Sequence, residues 1–527
     1  MKKNLTTLLL ACISFSLMAQ APLQADISWN KPYKQKRNEK PQAIIGTYKG
    51  NTYTYMYANS FKGMNEKTYI QEFSPEGKLL KEAEFTNSFQ GVDLGIFDIY
   101  IQDGKMNVLG TARNNNLNTI IVFARTVDLN TLKPIDDSKI IAEFDIGRKA
   151  YSSSYSALRL ARSADSSKVC IYRQVAAKPK DPAVMEFYTL DENFNLIWNA
   201  KHQFKDINTI QLVKGKGFLD QDGNFYLSAG TTAVYEGRKI MAYGHGDYDV
   251  NLLSLRNAGK DIKLTPVADQ KYTLKHFSMS LEDINKPRLV GVFDDEDGKE
   301  TEGIYTATFK PESGKIENFK TEFLPDDFYL AGLKGNLLHT TRKAVAKKSF
   351  ETKELLAVKD YFQEEDGDMI VILEPTITKI TTETSGRQTI NHYSYSHCII
   401  NMSENGSLNW HVWMLKEIME GRNRSYGSFV MSKDLKKGEY RFIYNAHRDL
   451  SNTKKPKVTK LRAYSTDAVT LATKVDSKGN ASTTVLFDSY KDDCILLTKC
   501  SESLNPSTFF MMGGNNKNYK IGRLELE

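Results

Sequence analysis

The chain has 527 residues, of which 40% are hydrophobic, 11% aromatic and 26% charged. These proportions are typical of a folded globular protein and exclude wholesale disorder. The net charge is +7, but no basic cluster is interleaved with aromatic residues, so we expect no nucleic-acid partner. The 27 Tyr and 26 Phe favour a β-rich fold, because aromatic side chains suit the half-buried surface of a sheet.

The first 21 residues have the features of an export signal. The positively charged Lys2 and Lys3 precede a short apolar run from Leu5 to Met18, and Ala19 and Ala21 are small residues suited to cleavage. The apolar run is short for a transmembrane helix, and no later run approaches that length. The sequence therefore predicts a signal peptide at 1–21 and an exported chain without a transmembrane segment, in the periplasm, at the cell surface or outside the cell.

A lipid anchor at Cys12 is the less favoured alternative. The stretch Leu9-Leu10-Ala11-Cys12 loosely matches the motif that precedes a lipidated cysteine. Apolar residues continue past Cys12, whereas a mature lipoprotein would turn polar there.

The mature chain has four cysteines in a compartment that permits disulfides. They are Cys170, Cys398, Cys494 and Cys500. If residues 494–500 form one strand, Cys494 and Cys500 lie roughly 20 Å apart and cannot bond to each other. We therefore interpret the cysteines as free and mostly buried, with their disulfide state left open.

A strand–turn–strand pattern recurs along the chain. At 402–410 a strand-like run enters the turn Glu404-Asn405-Gly406, and a second run leaves it towards Trp410. Related patterns occur at 70–80, 126–132, 190–198, 255–260, 309–316 and 475–480. A repeat of roughly 50 to 70 residues with several β-runs in each unit is typical of a propeller, in which every blade is a four-stranded sheet.

A second type of hairpin lies upstream of most of these patterns. Alternating runs flank Asp103-Gly104 and Asp222-Gly223, and a similar pair flanks the polar stretch 363–368. Asp-Gly between alternating runs is a strong hairpin signal, because glycine accepts the positive φ that the turn requires. Two hairpins per unit complete a four-stranded blade.

Ring closure follows from the two ends of the chain. Three strand candidates, at 493–498, 508–512 and 519–526, follow the last repeat, and Asp26 to Trp29 can supply the fourth strand. Closure in this way leaves no exposed sheet edge at the junction. We predict a single all-β propeller over 22–527 with about eight four-stranded blades. Seven blades are the runner-up, and two unrelated β-sandwiches are the alternative fold.

Helix signals are almost absent from the sequence. The stretch 326–354 interrupts the repeat and is interpreted as an insertion in the propeller, and Met414 to Glu420 is the other place where a helical turn is expected.

Three features resemble a known group of proteins. They are the export signal ending in Ala-Gln, the Gly-x-Leu-x-Trp hairpin at 406–410, and the closing run Tyr519-Lys520-Ile521-Gly522-Arg523-Leu524. Together they resemble uncharacterised secreted β-propeller-like proteins of Bacteroidota-type bacteria. The resemblance implies the fold over nearly the whole mature chain, and it implies no catalytic residues.

Side chains with metal-binding chemistry are present but poorly arranged. His392 and His397 are five residues apart, which places them on opposite faces of a strand, with His411 further along the chain. The acidic stretches 294–298 and 364–368 lack the spacing of an EF-hand loop and are interpreted as solvated turns. We therefore predict no metal and no cofactor.

One loop stands out as a candidate binding site. Residues 244–249 read Gly-His-Gly-Asp-Tyr-Asp, and the flanking glycines allow a backbone to approach a ligand closely. The candidate residues are His245, Asp247, Tyr248 and Asp249, and the alternative is a plain polar connection between strands. Trp410 and its counterparts Leu80 and Trp198 are interpreted instead as blade packing.

The sequence favours a binding function over catalysis without deciding between them. No Gly-x-Ser-x-Gly elbow and no Walker-type loop occurs. Loops on a rigid scaffold commonly carry binding sites. We predict a monomeric interaction protein for a protein or glycan partner, with function expected in the irregular stretches 244–249 and 326–354. The alternative is a hydrolase or lyase that acts on glycan or peptide.

Overall fold

The computed structural model describes most of the chain from Leu23 to Glu527. The described ranges are 23–34, 39–58, 67–85, 88–89, 92–93, 95–114, 119–135, 137–145, 158–175, 180–209, 211–231, 249–267, 272–294, 301–325, 328, 356–375, 377–382, 388–420, 428–434, 436–448, 459–461, 468–515 and 518–527. The predicted signal peptide lies outside these residues, as does the predicted insertion 326–354 apart from Phe328.

The strands form eight successive blades, numbered here from the first complete one. Before blade 1 come β1 (Ala25–Trp29) and β2 (Tyr33–Lys34). Blade 1 contains β3 (Glu39–Tyr48), β4 (Asn51–Ala58), β5 (Lys67–Phe73) and β6 (Leu79–Phe85), and the small hairpin β7 (Ser88–Phe89) and β8 (Val92–Asp93) follows it. Blade 2 contains β9 (Gly95–Gln102), β10 (Lys105–Asn114), β11 (Thr119–Asp128), β12 (Lys133–Pro134) and β13 (Lys139–Asp145).

Blades 3 to 5 follow the same plan. Blade 3 contains β14 (Arg159–Arg162), β15 (Lys168–Gln174), β16 (Pro182–Asp191) and β17 (Leu196–Asn208). Blade 4 contains β18 (Leu212–Leu219), β19 (Phe225–Thr231), β20 (Asp249–Arg256) and β21 (Asp261–Pro266). Blade 5 contains β22 (Thr273–Leu274), β23 (Ser278–Ser280), β24 (Arg288–Asp294), β25 (Thr301–Lys310) and β26 (Lys315–Phe323).

The last three blades complete the chain. Blade 6 contains β27 (Leu356–Gln363), β28 (Met369–Pro375), β29 (Ile377–Thr382), β30 (Gln388–Met402) and β31 (Leu408–Glu420). Blade 7 contains β32 (Phe429–Asp434), β33 (Glu439–His447), β35 (Ala468–Val475) and β36 (Ala481–Asp488), with β34 (Thr459–Leu461) in the connection between β33 and β35. Blade 8 contains β37 (Ile495–Leu496), β38 (Glu502–Ser503), β39 (Thr508–Gly514) and β40 (Asn518–Leu526), with a 3-10 turn at Thr498–Cys500.

Blade 8 is closed by the beginning of the chain. Its strand order is β1-β40-β39-β37, and Ala25 to Trp29 pair antiparallel with Leu526 to Gly522. In the other blades the four main strands pair antiparallel in sequence order. These findings confirm the predicted eight-bladed propeller and its closure by both termini, and they exclude seven blades.

The predicted repeat is the turn between the third and fourth strands of a blade. All seven predicted copies are turns of this kind. In the turn of blade 3, Asp191 Oδ1 accepts hydrogen bonds from the backbone N–H groups of Asn193 and Asn195, at 2.9 and 2.7 Å. Gly406 in blade 6 has a φ of 88°, which a residue with a Cβ rarely adopts. Local turn chemistry is therefore the source of the repeat in the sequence.

The hydrophobic core is divided into eight clusters, one between each pair of neighbouring blades. The cluster between blades 8 and 1, for example, joins Phe510 and Met512 to Met56 and Phe73. Each blade buries both of its faces, so every blade depends on two neighbours.

Trp198 and Trp410 hold neighbouring blades together, as predicted. Trp198 Nε1 donates to Gly223 O of blade 4 at 2.9 Å, and Trp410 Nε1 donates to Ser477 O of blade 7 at 3.0 Å. A bulge places each Trp, because the pairing shifts by one residue immediately before it. The same bulge in blade 1 places Lys81 at the position of the two Trp residues. The prediction that Leu80 occupies this position is therefore wrong, and the side chain of Leu80 is exposed.

The other seams carry equivalent hydrogen bonds. In six of the eight seams, the donor is a side chain on the last strand of a blade, and the acceptor is in a turn of the next blade. In the seam between blades 8 and 1 the donor is Asn30, which follows β1. In the seam between blades 7 and 8 the donors are Ser432 and Arg441. The bonds not yet given are Lys81 to Asn130 O, Lys139 to Asn195 Oδ1, Lys263 to Ser313 O, Lys320 to Asn405 O, Ser432 and Arg441 to Pro506 O, and Asn30 to Glu76 O.

Two local expectations are wrong. Residues 414–420 belong to the long strand β31 and are not helical, because this segment pairs with β30 on both sides of a bulge between Leu415 and Ile418. Cys494 and Cys500 do not share a strand, since Cys494 precedes β37 and Cys500 ends the 3-10 turn. All four described cysteines are buried and free, as we interpreted them. No helix in the described residues is long and apolar enough to cross a membrane.

Removal of β1 is expected to open the ring. A mature chain that begins at Pro32 lacks the outer strand of blade 8, the edge-to-face contact of Trp29 with Phe487 and the Asn30–Glu76 bond. We expect its melting temperature to fall by roughly 10 °C or more, and the freed edge of β40 to promote association. Circular dichroism melts and size-exclusion chromatography measure both effects.

A chain that begins at Leu23 is the control and should melt like the longer protein. A synthetic peptide of residues 22–31 should restore the melting temperature of the shorter chain. A monomeric short chain with an unchanged melting temperature would contradict closure by β1.

Trp198 should contribute far more stability than its neighbour Ile197. Trp198 is 6% exposed and packs on Gly259, whereas Ile197 is 40% exposed. We expect Trp198→Ala to lower the free energy of unfolding by about 3 kcal/mol and Ile197→Ala by less than about 0.5 kcal/mol. Urea denaturation measures the difference, and equal losses would show that Trp198 does not hold the seam.

Candidate functional site

The two ends of the propeller are built differently. Turns after the first and third strands of each blade lie at one end, the turn end, and connections after the second and fourth strands lie at the other, the loop end. Most turns at the turn end are short, such as Asp220–Asn224 and Asp476–Asn480. The strands that flank residues 232–248 and residues 324–355 meet these two ranges at the loop end, in blade 4 and between blades 5 and 6. The ranges contain residues 244–248 and 326–354 of the two stretches singled out in the sequence.

The predicted binding residues lie mostly beyond the described part of the chain. His245, Asp247 and Tyr248 are outside it, and the structure neither joins nor separates them. Asp249 is the first residue of β20, is exposed, and pairs with Thr231 at the loop end of blade 4.

Phe328 is the described residue of the predicted insertion. It is fully buried, and its ring centroid lies 5.0 Å from those of His411 and Trp413 on the outer strand of blade 6. Phe328 is therefore held against blade 6 by aromatic contacts.

Two cations meet between blades 3 and 4, close to the loop end. Arg159 begins β14, and its guanidinium donates to Lys214 O at 3.2 Å and to Gly215 O at 2.6 Å. Burial, together with the charge of Arg159, lowers the pKa of Lys214 to about 7. A lysine with this pKa is partly neutral at pH 7. We call Arg159 and Lys214 the cationic seam.

Gly215 allows blades 4 and 5 to approach each other. β18 bulges between Lys214 and Gly217, and a Cβ on Gly215 would lie 2.8 Å from His276 Nδ1. Any larger residue would therefore push His276 away. Glycines within a strand pattern, here Gly215 and Gly217, are the sequence signal that could have located this bulge.

His276 and Ser228 form a buried pair that is structural. Ser228 Oγ lies 2.9 Å from His276 Nδ1, and the backbone N–H of Phe277 donates to Ser228 Oγ at 3.3 Å. Burial and the charges of Arg159 and Lys275 lower the pKa of His276 to about 4, so its ring is neutral at pH 7. Because Ser228 is fully buried, its hydroxyl cannot meet a substrate.

His397 also lies inside a blade, in blade 6. Its Nδ1 is 3.1 Å from Lys416 Nζ, and its Nε2 is 3.4 Å from a carboxylate oxygen of Glu374. Burial and the charge of Lys416 lower the pKa of His397 to about 4. An ammonium group beside Nδ1 disfavours a metal ion at this nitrogen. The side chain of His392 is not described.

The acidic stretch 364–368 is the turn between the first and second strands of blade 6, as predicted. Single carboxylate oxygens of Glu364, Asp366 and Asp368 lie within 4.8 Å of one another. Glu364 accepts hydrogen bonds from Tyr440 and, at 3.0 Å, from Asn401. Burial and the two neighbouring carboxylates raise the pKa of Glu364. These bonds explain the arrangement as a turn fixed to blade 7.

In the other acidic stretch, Asp294 is buried and structural. Its carboxylate lies 3.0 Å from Lys275 Nζ and accepts a hydrogen bond from Thr301 Oγ1 at 3.0 Å. Residues 295–298 lie outside the described chain.

Glu502 is a titratable group that the sequence analysis missed. It lies on β38, in the inner strand of blade 8, opposite Phe510 on β39. Its Oε1 is buried and has no hydrogen-bond partner among the described residues. Burial raises the pKa of Glu502 to about 7. No sequence motif marks this residue, because its environment comes from the packing of blades.

Comparison with known proteins places the chain in no family. No family model matches the sequence, and no curated protein matches it. Solved structures with a similar fold include prolyl oligopeptidase B from Galerina marginata, with a TM-score of 0.41 and 10% identity over 90% of this chain and 55% of that one. The chain thus spans about half the length of that protein.

Two further structures show likeness at a lower level. The polysaccharide lyase Uly1 has a TM-score of 0.39 and 8% identity over 84% of this chain and 94% of that one. A protein of unknown function from Bacteroides caccae has a TM-score of 0.27 and 8% identity over 66% and 89%. At these identities the likeness concerns architecture alone, and function must be argued from this chain's own residues.

Glu502 should make stability depend on pH. A carboxyl whose pKa rises on folding binds more protons in the folded state, so its contribution to stability is lost as the pH rises from about 4.5 to about 7. Glu502→Gln removes the charge, and we expect it to stabilise the protein at pH 8 by up to about 3 kcal/mol and to have little effect at pH 4.

Urea denaturation at the two pH values measures this difference. Glu192→Gln, at an exposed turn residue, is the control and should change stability little at either pH. A Glu502→Gln effect of the same size at pH 4 and pH 8 would contradict the raised pKa.

Proposed function

We propose that the protein is exported and acts as a binding protein, which engages a protein or glycan partner at the loop end of its propeller. Export rests on residues 1–21, with their positive start, short apolar run and small residues at 19 and 21. The alternative is that a lipid on Cys12 anchors the exported protein to a membrane.

One structural observation carries the proposed place of binding. The segments 232–248 and 324–355 leave neighbouring blades at the same end, and the cationic seam of Arg159 and Lys214 lies near that end between blades 3 and 4. Connections carried by a rigid scaffold are where binding sites commonly lie. Short turns occupy most of the opposite end, which offers less variable surface.

The cationic seam suits a partner that carries carboxylates or other anionic groups. Arg159 donates to two backbone carbonyls of blade 4, and its positive charge acts on Lys214. An acidic glycan or an acidic protein surface would both relieve this repulsion. Binding should therefore weaken as salt screens the charges.

Catalysis in the channel is the rival interpretation. A hydrolase or lyase needs carboxyl or imidazole groups from several blades close to one another. Of the described histidines, His276 and His397 are enclosed within the blades. Binding is accordingly the function that we put forward.

A variant in the candidate loop tests the proposal. The unchanged mature chain first identifies its partner, either an envelope protein or a glycan on an array. H245A/D247A/Y248A should bind that partner at least about tenfold more weakly. Pull-down from envelope extract and a glycan array, followed by titration of the captured partner, measure the loss.

E192A/D222A/K478A is the matched control, since these three exposed residues lie in turns at the turn end. It should bind within about twofold of the unchanged protein. The proposal fails if the mature chain captures neither protein nor glycan, or if both triple variants weaken binding equally.

A further inference from the structure

A long groove runs along the rim of the propeller between the outer strands of blades 4 and 5. Its volume is about 1080 Å³, and it extends from β21 across β26 to the blade 6 turn at Asn405–Ser407. A volume at the upper limit of small-ligand pockets suits an extended chain better than a small molecule. The groove lies on the outside of the ring, apart from the segments discussed above.

A bulge in β26 makes the floor of the groove apolar. The pairing with β25 shifts between Thr306 and Thr308, and Asn318 has a φ of 53°. The shift turns Ile316 and Phe319 to the same side, where both pack on the cluster between blades 4 and 5. In a regular strand, residues three apart would face opposite sides.

The rim of the groove is positively charged. Lys263, Lys315 and Lys320 line it together with one acidic residue, Glu322. Glu322 already accepts a hydrogen bond from the backbone N–H of Leu408 at 3.2 Å. Lys263 and Lys320 each donate one hydrogen bond to a turn, and an ammonium group has three donors, so both can also bind a carboxylate.

The outer edge of a blade in this fold can accept another strand. In blade 6, Thr459 to Leu461 form β34, which pairs parallel with Ile418 to Glu420 on the outer strand β31. In the described chain β26 pairs only with β25, so its other edge offers backbone donors and acceptors to an extended segment.

We propose that this groove is a docking site for an extended acidic segment of a protein partner. The segment adds to the edge of β26, places apolar side chains on Ile316 and Phe319, and places carboxylates near Lys263, Lys315 and Lys320. Alternation of acidic and apolar residues is the pattern that fits, because successive side chains of a strand point to opposite faces.

Selection from an unbiased library of displayed 12-residue peptides against the full mature chain tests this assignment. We expect enriched peptides in which acidic and apolar residues alternate. The synthetic form of the most enriched peptide should bind at least about tenfold more weakly to K263Q/K315E, and its affinity should fall with rising salt.

The variants are chosen to keep the blades intact. Glutamine at 263 keeps a donor for Ser313 O. The Lys315 side chain forms no hydrogen bond or ion pair with the described residues, so the single variant K315E provides a second test if the double variant melts early. Lys205→Glu, at an exposed residue of the outer strand of blade 3, is the matched control and should bind the peptide like the unchanged protein.

Three outcomes would overturn the assignment. They are enrichment of peptides without acidic residues, undiminished binding to K263Q/K315E and K315E, and no enrichment at all. In the first two cases the lysines would have no part in recognition, and in the third they would serve only to keep the edge of β26 from pairing.

Discussion

The fold depends on the contact of each blade with the turns of the next. A blade alone is a sheet with two apolar faces, and only a neighbour on each side can bury both. The bulge after the outer turn places Lys81, Trp198 and Trp410 so that their N–H groups reach the next blade. Because the donor is a side chain and the acceptors are turn carbonyls, the seam tolerates both lysine and tryptophan.

Charged side chains within the blades are also paired across neighbouring strands. Glu186 in blade 3 lies 2.9 Å from both Arg173 and Lys201, and Glu439 in blade 7 lies between Arg441 and Lys474. Arg173 is fully buried, and a cation in that position requires a close carboxylate. These triads join neighbouring strands of one blade, whereas the outer-strand donors join one blade to the next. Together they make the ring a rigid support for its connections.

The perturbed titratable groups in the protein are largely products of this packing. His276 and His397 are neutral at pH 7 because they lie inside or between blades beside cations. Lys214 and Glu502 have pKa values near 7 for the same reason, burial in the inner strands. A shifted pKa in this protein therefore indicates that the group lies near the interior of the ring. Catalysis would require further reactive groups close to it.

The sequence by itself determined the class of fold, because turns are local. The Asp and Gly residues of the outer turns set φ values and backbone bonds within five residues, so their recurrence revealed the blades, and the unpaired strand candidates at the two ends revealed the closure. Residues 414–420 were misread because a strand ten or more residues long is stabilised by its partner β30, which lies outside any local window.

Only the tertiary structure decided which residues meet. The Arg159–Lys214 seam and Glu502 arise from side chains far apart in the chain, and no spacing encodes their contacts. The bulges that separate Lys81 from Leu80, and that turn Ile316 and Phe319 to one side, shift a strand's pattern by one residue. The alternation of polar and apolar residues in the sequence does not reveal such a shift. The shift becomes visible only when the pairing with the neighbouring strand is known.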